Sequence, residues 1–286
     1  MKITDILAAG PTYSFEFFPP KTEVAAENLR SALADLEPLA PSFASVTYGA
    51  GGGTREMTHD IVTGLHRDTN VTAMAHLTCV CHSRAELVAI AQRYRDAGIE
   101  NILALGGDPP KDSDLPAGEL DHAVDLVRLL REVGDFAIGV AVFPEPHPKS
   151  PDKATDRART AEKLAEADFG ITQFFFDAEH YFDLVSALHD LGVDKPVIPG
   201  IMPATAISSI KRMTELQGSE FPAWLADQLY AVQDDPEAVF AVGVQEATKL
   251  SRRLLDGGAP GLHFITLNRS RATQLIYANL GLMPKG

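Results

Sequence analysis

Tyr13-Ser14-Phe15-Glu16-Phe17-Phe18-Pro19-Pro20 is a short aromatic run closed by two prolines, with one carboxylate in its middle. The run reads as a first β-strand, because aromatic residues favour a pleated, half-buried surface and the prolines end it. A carboxylate moved into apolar surroundings prefers its neutral form, so the stretch predicts a raised pKa for Glu16 and a role as a proton donor. The alternative is an alternating strand with Glu16 on its wet face, as edge strands often carry.

Outward from this strand, short apolar runs alternate with longer amphipathic segments. The predicted strands are 13–18, 43–48, 72–79, 101–106, 136–143, 170–176, 196–201 and 262–267. Helical patterns fall near 23–37, 55–68, 84–97, 119–133, 153–167, 179–192 and 205–216, and again near 221–231, 236–256 and 270–280. Asp177-Ala178-Glu179 places acidic residues at the positive end of a helix, and Gly98 and Gly192 stand where a left-handed cap is wanted. Strands that alternate with helices form a parallel sheet buried on both faces. Eight such units in 286 residues predict an α/β fold, a single (β/α)8 TIM barrel with extra helices between strands 7 and 8. A doubly wound open sheet is the runner-up. No Ser/Gly/Pro-rich linker or shift in composition divides the chain, so one domain is expected over 1–286.

The bulk properties narrow the function. Net charge is −14, with no Lys/Arg-rich block, which argues against nucleic acid and anionic membrane as partners and requires a local cationic pocket for any anionic substrate. No apolar stretch reaches the ~20 residues of a membrane span, and Met1-Lys2-Ile3-Thr4-Asp5 lacks the pattern of an export signal, so a cytoplasmic protein is expected. Cys79 and Cys81, placed on one strand by this reading, are expected to be free thiols in a reducing compartment. The sequence leaves a homo-oligomer open.

In a barrel, chemistry sits at the C-terminal ends of the strands. Those ends carry Thr47, His76, Asp108, Glu145 with His147, Gln173, and Asn268 with Arg269, while Glu16 lies just inside the first. Each residue alone has a structural explanation; Asp108 after Gly106-Gly107 suits a turn, and a strand histidine is often a satisfied core residue. Their convergence on one rim is explained by a polar pocket. No His-x-x-x-His or Cys-x-x-Cys spacing supports a metal, and no Gly-x-Ser-x-Gly elbow supports acyl transfer. Gly51-Gly52-Gly53-Thr54 before a helix could cradle a phosphate or serve only as a βα loop. No lysine stands at a predicted strand end, which removes the nucleophile of a Schiff-base aldolase.

From Ser14 to about Leu282 the chain resembles the 5,10-methylenetetrahydrofolate reductases. The resemblance is carried by Ser14-Phe15-Glu16-Phe17-Phe18-Pro19-Pro20-Lys21-Thr22, Ser45-Val46-Thr47-Tyr48-Gly49-Ala50 and Ala75-His76-Leu77-Thr78-Cys79. It continues in Ile171-Thr172-Gln173-Phe174-Phe175-Phe176-Asp177, Ile198-Pro199-Gly200-Ile201-Met202-Pro203 and Thr266-Leu267-Asn268-Arg269. It implies a (β/α)8 barrel and hydride transfer to the methylene carbon of 5,10-methylenetetrahydrofolate, giving 5-methyltetrahydrofolate. It implies Glu16 as the general acid that opens the bridging ring, Asp108 as the anion beside the resulting iminium and the pterin, and Gln173 as a pterin hydrogen-bonding group. Substrate-binding residues are then Gln173, Met213, Leu267 and Arg269, with Met213 standing where the family has a stacking aromatic. Cofactor-binding residues are Thr47, His76, Gly107, Phe143, His147 and Asp156.

The chain departs from the family where bacterial relatives hold FAD. An Arg-Gly-Asp after strand 4 is Gly106-Gly107-Asp108 here, and two tyrosines are replaced by His122 and Phe143. The helix after strand 5 offers Asp156, Arg159, Glu162 and Lys163, where the family has Asp, Asn, Arg and Lys. An Arg-to-Glu exchange beside a pyrophosphate costs roughly 1–4 kcal/mol. The expectation is therefore direct hydride transfer from NADH or NADPH, with no tightly bound FAD. A conventional FAD-dependent reductase and a non-catalytic folate-binding barrel are the alternatives.

Overall fold

The computed structural model describes residues 1–48, 52–108 and 118–284. Its strands are β1 Thr12–Phe17, β2 Phe43–Val46, β3 Ala73–Thr78, β4 Asn101–Leu105, β5 Ala137–Val142, β6 Phe169–Phe174, β7 Val197–Ile201 and β8 Gly261–Ile265. All pair in parallel in chain order, and β8 returns to β1, so the sheet closes into the expected barrel. The helices are α1 Ile3–Ala9, α2 Glu23–Leu36, α3 Gly52–Asp68, α4 Arg84–Asp96, α5 Ala123–Val133 and α6 Lys153–Glu166. They continue with α7 Ala178–Asp190, α8 Ile207–Gln217, α9 Ala223–Ala231, α10 Pro236–Asp256 and α11 Arg271–Leu280. The extra helices between β7 and β8 are α9 and α10, as expected, and the open-sheet alternative is excluded by closure. No described helix is long and apolar enough to cross a membrane.

Side chains alternate between the two faces of each strand. Phe15 and Phe17 of β1, Ala44 and Val46 of β2, Ile138 and Val140 of β5, and Leu262 and Phe264 of β8 point outward and form the layer under the helices. Phe43, Met74, Leu103, Phe169, Ile171 and Ile198 fill the interior toward its N-terminal end. That end is closed by α1, which the sequence reading missed. Ile3 is fully buried against the interior cluster, its N–H donates to Asn101 Oδ1 at 2.7 Å, and Asn101 Nδ2 donates back to the Met1 carbonyl at 3.0 Å. The interior polar residues Ser14, Glu16, Ser45, His76 and His263 lie above this plug, toward the strand ends.

One reading of the strands is corrected. β3 ends at Thr78, and Cys81 takes a left-handed φ of 59° in the turn beyond it, so the two cysteines do not share a strand. Both are free and buried, and burial pushes the Cys79 thiol up to about 11. Gly51 of the glycine run lies outside the described residues, and Gly52-Gly53 open α3.

Candidate active site

Because Glu16 shares its face of β1 with Ser14, it points into the barrel. Its carboxylate is 13% exposed, and two imidazoles meet the same oxygen: His263 Nε2 from β8 lies 3.4 Å from Oε2, and His76 Nε2 from β3 lies 3.6 Å away. This corrects the expected environment and its consequence. Burial is the largest influence and pushes the Glu16 carboxyl up, but the hydrogen bond from His263, with attraction to either ring whenever it carries charge, brings the carboxyl below its ordinary value. That direction favours the ionised carboxylate. Its neighbour His76 is pulled down to about 4, chiefly by burial, so that ring is uncharged at neutral pH.

The turn after β8 holds the end of β1 in place. Thr266 Oγ1 donates to the Glu16 carbonyl at 2.6 Å, and the Thr266 N–H reaches the same carbonyl. Asn268 pairs with both backbone groups of Phe18: Oδ1 accepts its N–H at 2.9 Å and Nδ2 donates to its carbonyl at 2.9 Å. To make this turn, Leu267 and Asn268 both adopt left-handed backbone, with φ of 50° and 57°. Two consecutive non-glycine residues in that region are costly, and such strain clusters at functional sites.

Gln173 is aimed by a different device. Pro199 in β7 cannot donate to the sheet, and opposite it β6 carries an extra residue between the pairs Ile171–Ile198 and Phe174–Gly200. The Gly200 N–H donates to Thr172 Oγ1 at 2.8 Å. Gly200 is required at this contact, since a Cβ there would lie 2.3 Å from the Thr172 carbonyl oxygen. The bulge carries half-buried Gln173 at the end of β6. Nearby, Met213 and Leu267 join Phe18, Phe176 and Phe221 as half-buried groups packed on Phe174, Met202, Ile210 and Ile265, forming an apolar wall. Arg269 is exposed beside that wall. Asp108 lies farther out, 83% exposed, with Lys149 Nζ 2.7 Å from its Oδ1.

The residues assigned to a cofactor lie on or after β2, β3, β4 and β5, with Asp156 on α6. Thr47 continues from β2, its N–H bonded to the Phe17 carbonyl. Gly107 takes a φ of 82°, and a Cβ there would meet Val80 Cγ1 at 2.5 Å. The Phe143 ring stands edge-on to His147 at 4.6 Å. Asp156 is buried and accepts from the His147 N–H and the Ser150 hydroxyl, so it fixes the loop after β5. Lys163 donates to the Ala141 carbonyl at 2.6 Å, and burial pulls its ammonium down to about 8. Glu162 turns its carboxylate to Arg128 of α5 at 3.7 Å, on the outer face. The expected repulsion of a pyrophosphate by Glu162 thus loses its premise, while the missing cation at Gly106 stands.

Two residues were missed in the sequence. His263 is the closer partner of Glu16 and carries the same signal as Glu16 itself, a titratable group inside an apolar strand, Leu262-His263-Phe264. Lys149 offered no signal, because it pairs with Asp108 only through the fold. Among the described residues no group of His, Cys, Asp and Glu is arranged to hold a metal. An open groove between α10 and α11 is lined by Glu237, Phe240, Arg252 and Arg271 and includes none of the predicted site residues.

Comparison with known proteins places this geometry in a family. The methylenetetrahydrofolate reductase family model matches residues 2–281. The 5,10-methylenetetrahydrofolate reductases of Pectobacterium carotovorum and Escherichia coli K12 are each 39% identical over 95% of this chain, covering 90% and 91% of their own lengths. Methylenetetrahydrofolate reductase (NADH) 1 of Arabidopsis thaliana is 36% identical over 99% of this chain and half of its own length. A Clostridium thermocellum protein solved with two copies of 5-methyl-5,6,7,8-tetrahydrofolic acid shares the fold, with a TM-score of 0.66 at 16% identity over 98% of both chains. With nearly its whole length matched in sequence and its carboxylate-bearing barrel mouth in place, the chain belongs to the methylenetetrahydrofolate reductase family.

Proposed function

We propose that this protein reduces 5,10-methylenetetrahydrofolate to 5-methyltetrahydrofolate in a single catalytic domain, taking hydride directly from a nicotinamide dinucleotide. The observation that carries the reading is Glu16, an inward carboxylate within 3.6 Å of two imidazoles at the barrel mouth. Binding alone gives no reason to bury an acid there, which weighs against a non-catalytic folate carrier.

Glu16 delivers a proton to a nitrogen of the bridging ring, making that nitrogen a leaving group. Ring opening develops positive charge on the substrate. Asp108, once free of Lys149, faces that charge, and the Gln173 amide hydrogen-bonds the pterin. Met213 and Leu267 give the ring system an apolar wall, and Arg269 meets the anionic tail. The nicotinamide supplies the hydride, and the Arabidopsis relative named for NADH favours that donor over NADPH. Thr47, His76, Gly107, Phe143 and His147 border the space for it.

A flavin dinucleotide does not fit this side of the mouth as the side chains stand. Lys163 is spent on the Ala141 carbonyl, Asp156 on the loop after β5, and Gly106 offers no cation. No step is therefore routed through FAD. The test is the visible absorption spectrum of the purified protein, followed by NADH and methylenetetrahydrofolate without added flavin. A colourless protein that oxidises NADH only when the folate is present is the expected result. A yellow protein, or one that works only after FAD is supplied, restores the conventional flavoenzyme.

A further inference from the structure

We propose that His263 is a positioning residue that shares the catalytic proton with Glu16, holding it on Nε2 while the site is empty and passing it to Oε2 when the folate seats. The inference rests on the reading of Glu16 as the acid and adds where its proton comes from. An ionised Glu16 has no proton to give, so one must reach it from a group inside the barrel or from solvent.

His263 is fully buried, and both of its ring nitrogens are accounted for. Nδ1 lies 2.7 Å from Ser14 Oγ. The Ser14 hydroxyl is also within reach of the Leu262 carbonyl, at 3.4 Å, and a carbonyl can only accept. With its own hydrogen directed there, Ser14 Oγ is left to accept from Nδ1–H. That fixes a proton on Nδ1 and leaves Nε2 as the nitrogen that exchanges with Glu16 Oε2 at 3.4 Å. Ser45 Oγ lies at the same distance from Nε2, and its rotatable hydroxyl can donate or accept as the proton moves. The Phe43 ring stacks under the imidazole at 5.8 Å and 19°, which holds its plane. A 3.4 Å separation is long for proton transfer, but catalytic hydrogen bonds commonly tighten only when substrate binds.

His76 is the other group facing Glu16, from β3. Among the described residues its buried Nε2 has no hydrogen-bond partner, whereas His263 is anchored through Ser14. It therefore flanks the carboxylate as a neutral ring. In the step proposed, the Nε2–H bond breaks and Oε2–H forms, so the positive charge leaves the imidazole and the negative charge leaves the carboxylate together. Nδ1–H stays on Ser14 throughout. The new O–H bond then breaks as the substrate nitrogen gains the proton and keeps the electron pair of its broken C–N bond. Solvent restores the proton after product leaves.

The experiment is nitrogen-15 NMR of histidine-labelled, ligand-free protein across pH, in the wild type and in Glu16→Gln, paired with the pH profile of kcat for His263→Gln. The expected spectra show His263 Nδ1 protonated throughout and an Nε2 signal that responds to Glu16→Gln. His263→Gln keeps a donor but no transferable proton, so kcat falls about 10- to 100-fold. The loss is larger at high pH than at low pH, while KM changes little. A merely structural role gives a uniform loss at every pH. An Nε2 signal indifferent to Glu16→Gln, or a profile that keeps its shape, overturns the proposal. If His263→Gln does not fold, Ser14→Ala replaces it, and the proposal then requires Nδ1 to lose its fixed proton in the spectra. A wild type that fails to reduce the folate overturns the functional reading alone, since the spectra decide proton sharing without turnover.

Discussion

Glu16 shows how much one residue's partners change its chemistry. Read in sequence, it sits between Phe15 and Phe17; in the fold those two rings face outward, and the carboxylate faces two imidazoles that lie 60 and 247 residues away along the chain. The residue was legible because a charge in an apolar strand is conspicuous. Its partners were not, because pairing of β1 with β8 and the nearness of β3 exist only once the barrel closes. Glu16→Gln should lower turnover about 10²- to 10⁴-fold while folate still binds, as read by steady-state kinetics and by titration of ligand fluorescence. Equal loss of both would make Glu16 a binding group. His76 yields a separate stability test. Its pKa of 6.5 in an unperturbed chain falls to about 4 in the fold, so between those values the unfolded chain binds more protons. Stability is therefore lost as pH falls from 6.5 toward 4, by about 3 kcal/mol over the full window. Urea midpoints of wild type and His76→Asn should converge between pH 7 and pH 4.5, and parallel lines would mean that His76 is not held neutral.

At the scale of elements, the turn after β8 and the bulge in β6 do the positioning, and both were half visible. Asn268 was noted as a polar strand end, yet its role is to clamp the Phe18 backbone through two hydrogen bonds, which no local pattern announces. Pro199 interrupts a buried strand, and the consequence falls on the neighbouring strand, where the register shifts across Thr172 and Gln173. The left-handed φ of 57° at Asn268 separates its two contributions. Asn268→Gly loses the hydrogen bonds but keeps the backbone, costing about 1–3 kcal/mol for two half-buried groups. Asn268→Ala should cost about 1 kcal/mol more, from the Cβ in a left-handed conformation. Chemical denaturation of the two variants checks the difference, and equal stabilities would show that the turn relaxes out of the left-handed region.

The whole molecule separates stability from chemistry along the barrel axis. Parallel strands deliver Glu16, His76, Gln173 and Asp108 toward one end, while α1 closes the other by burying Ile3 against Phe43, Met74 and Phe169. Strand and helix order was legible from alternating periodicity over long segments, but α1 was not. At seven residues, with no side-chain cap, it is too short to form by its own propensity and exists because Asn101 and the barrel interior receive it. Ile3→Ala should therefore leave a cavity in the plug and lower stability by about 2–4 kcal/mol. Because the strands between plug and mouth are hydrogen-bonded around the full barrel, loss at one end has no soft path to Glu16 at the other. The variant should melt at lower temperature by calorimetry and yet turn over at the wild-type rate well below its melting point. A fall in kcat at such a temperature would mean that the interior side chains between α1 and Glu16 transmit the repacking, and that the two ends are one mechanical unit.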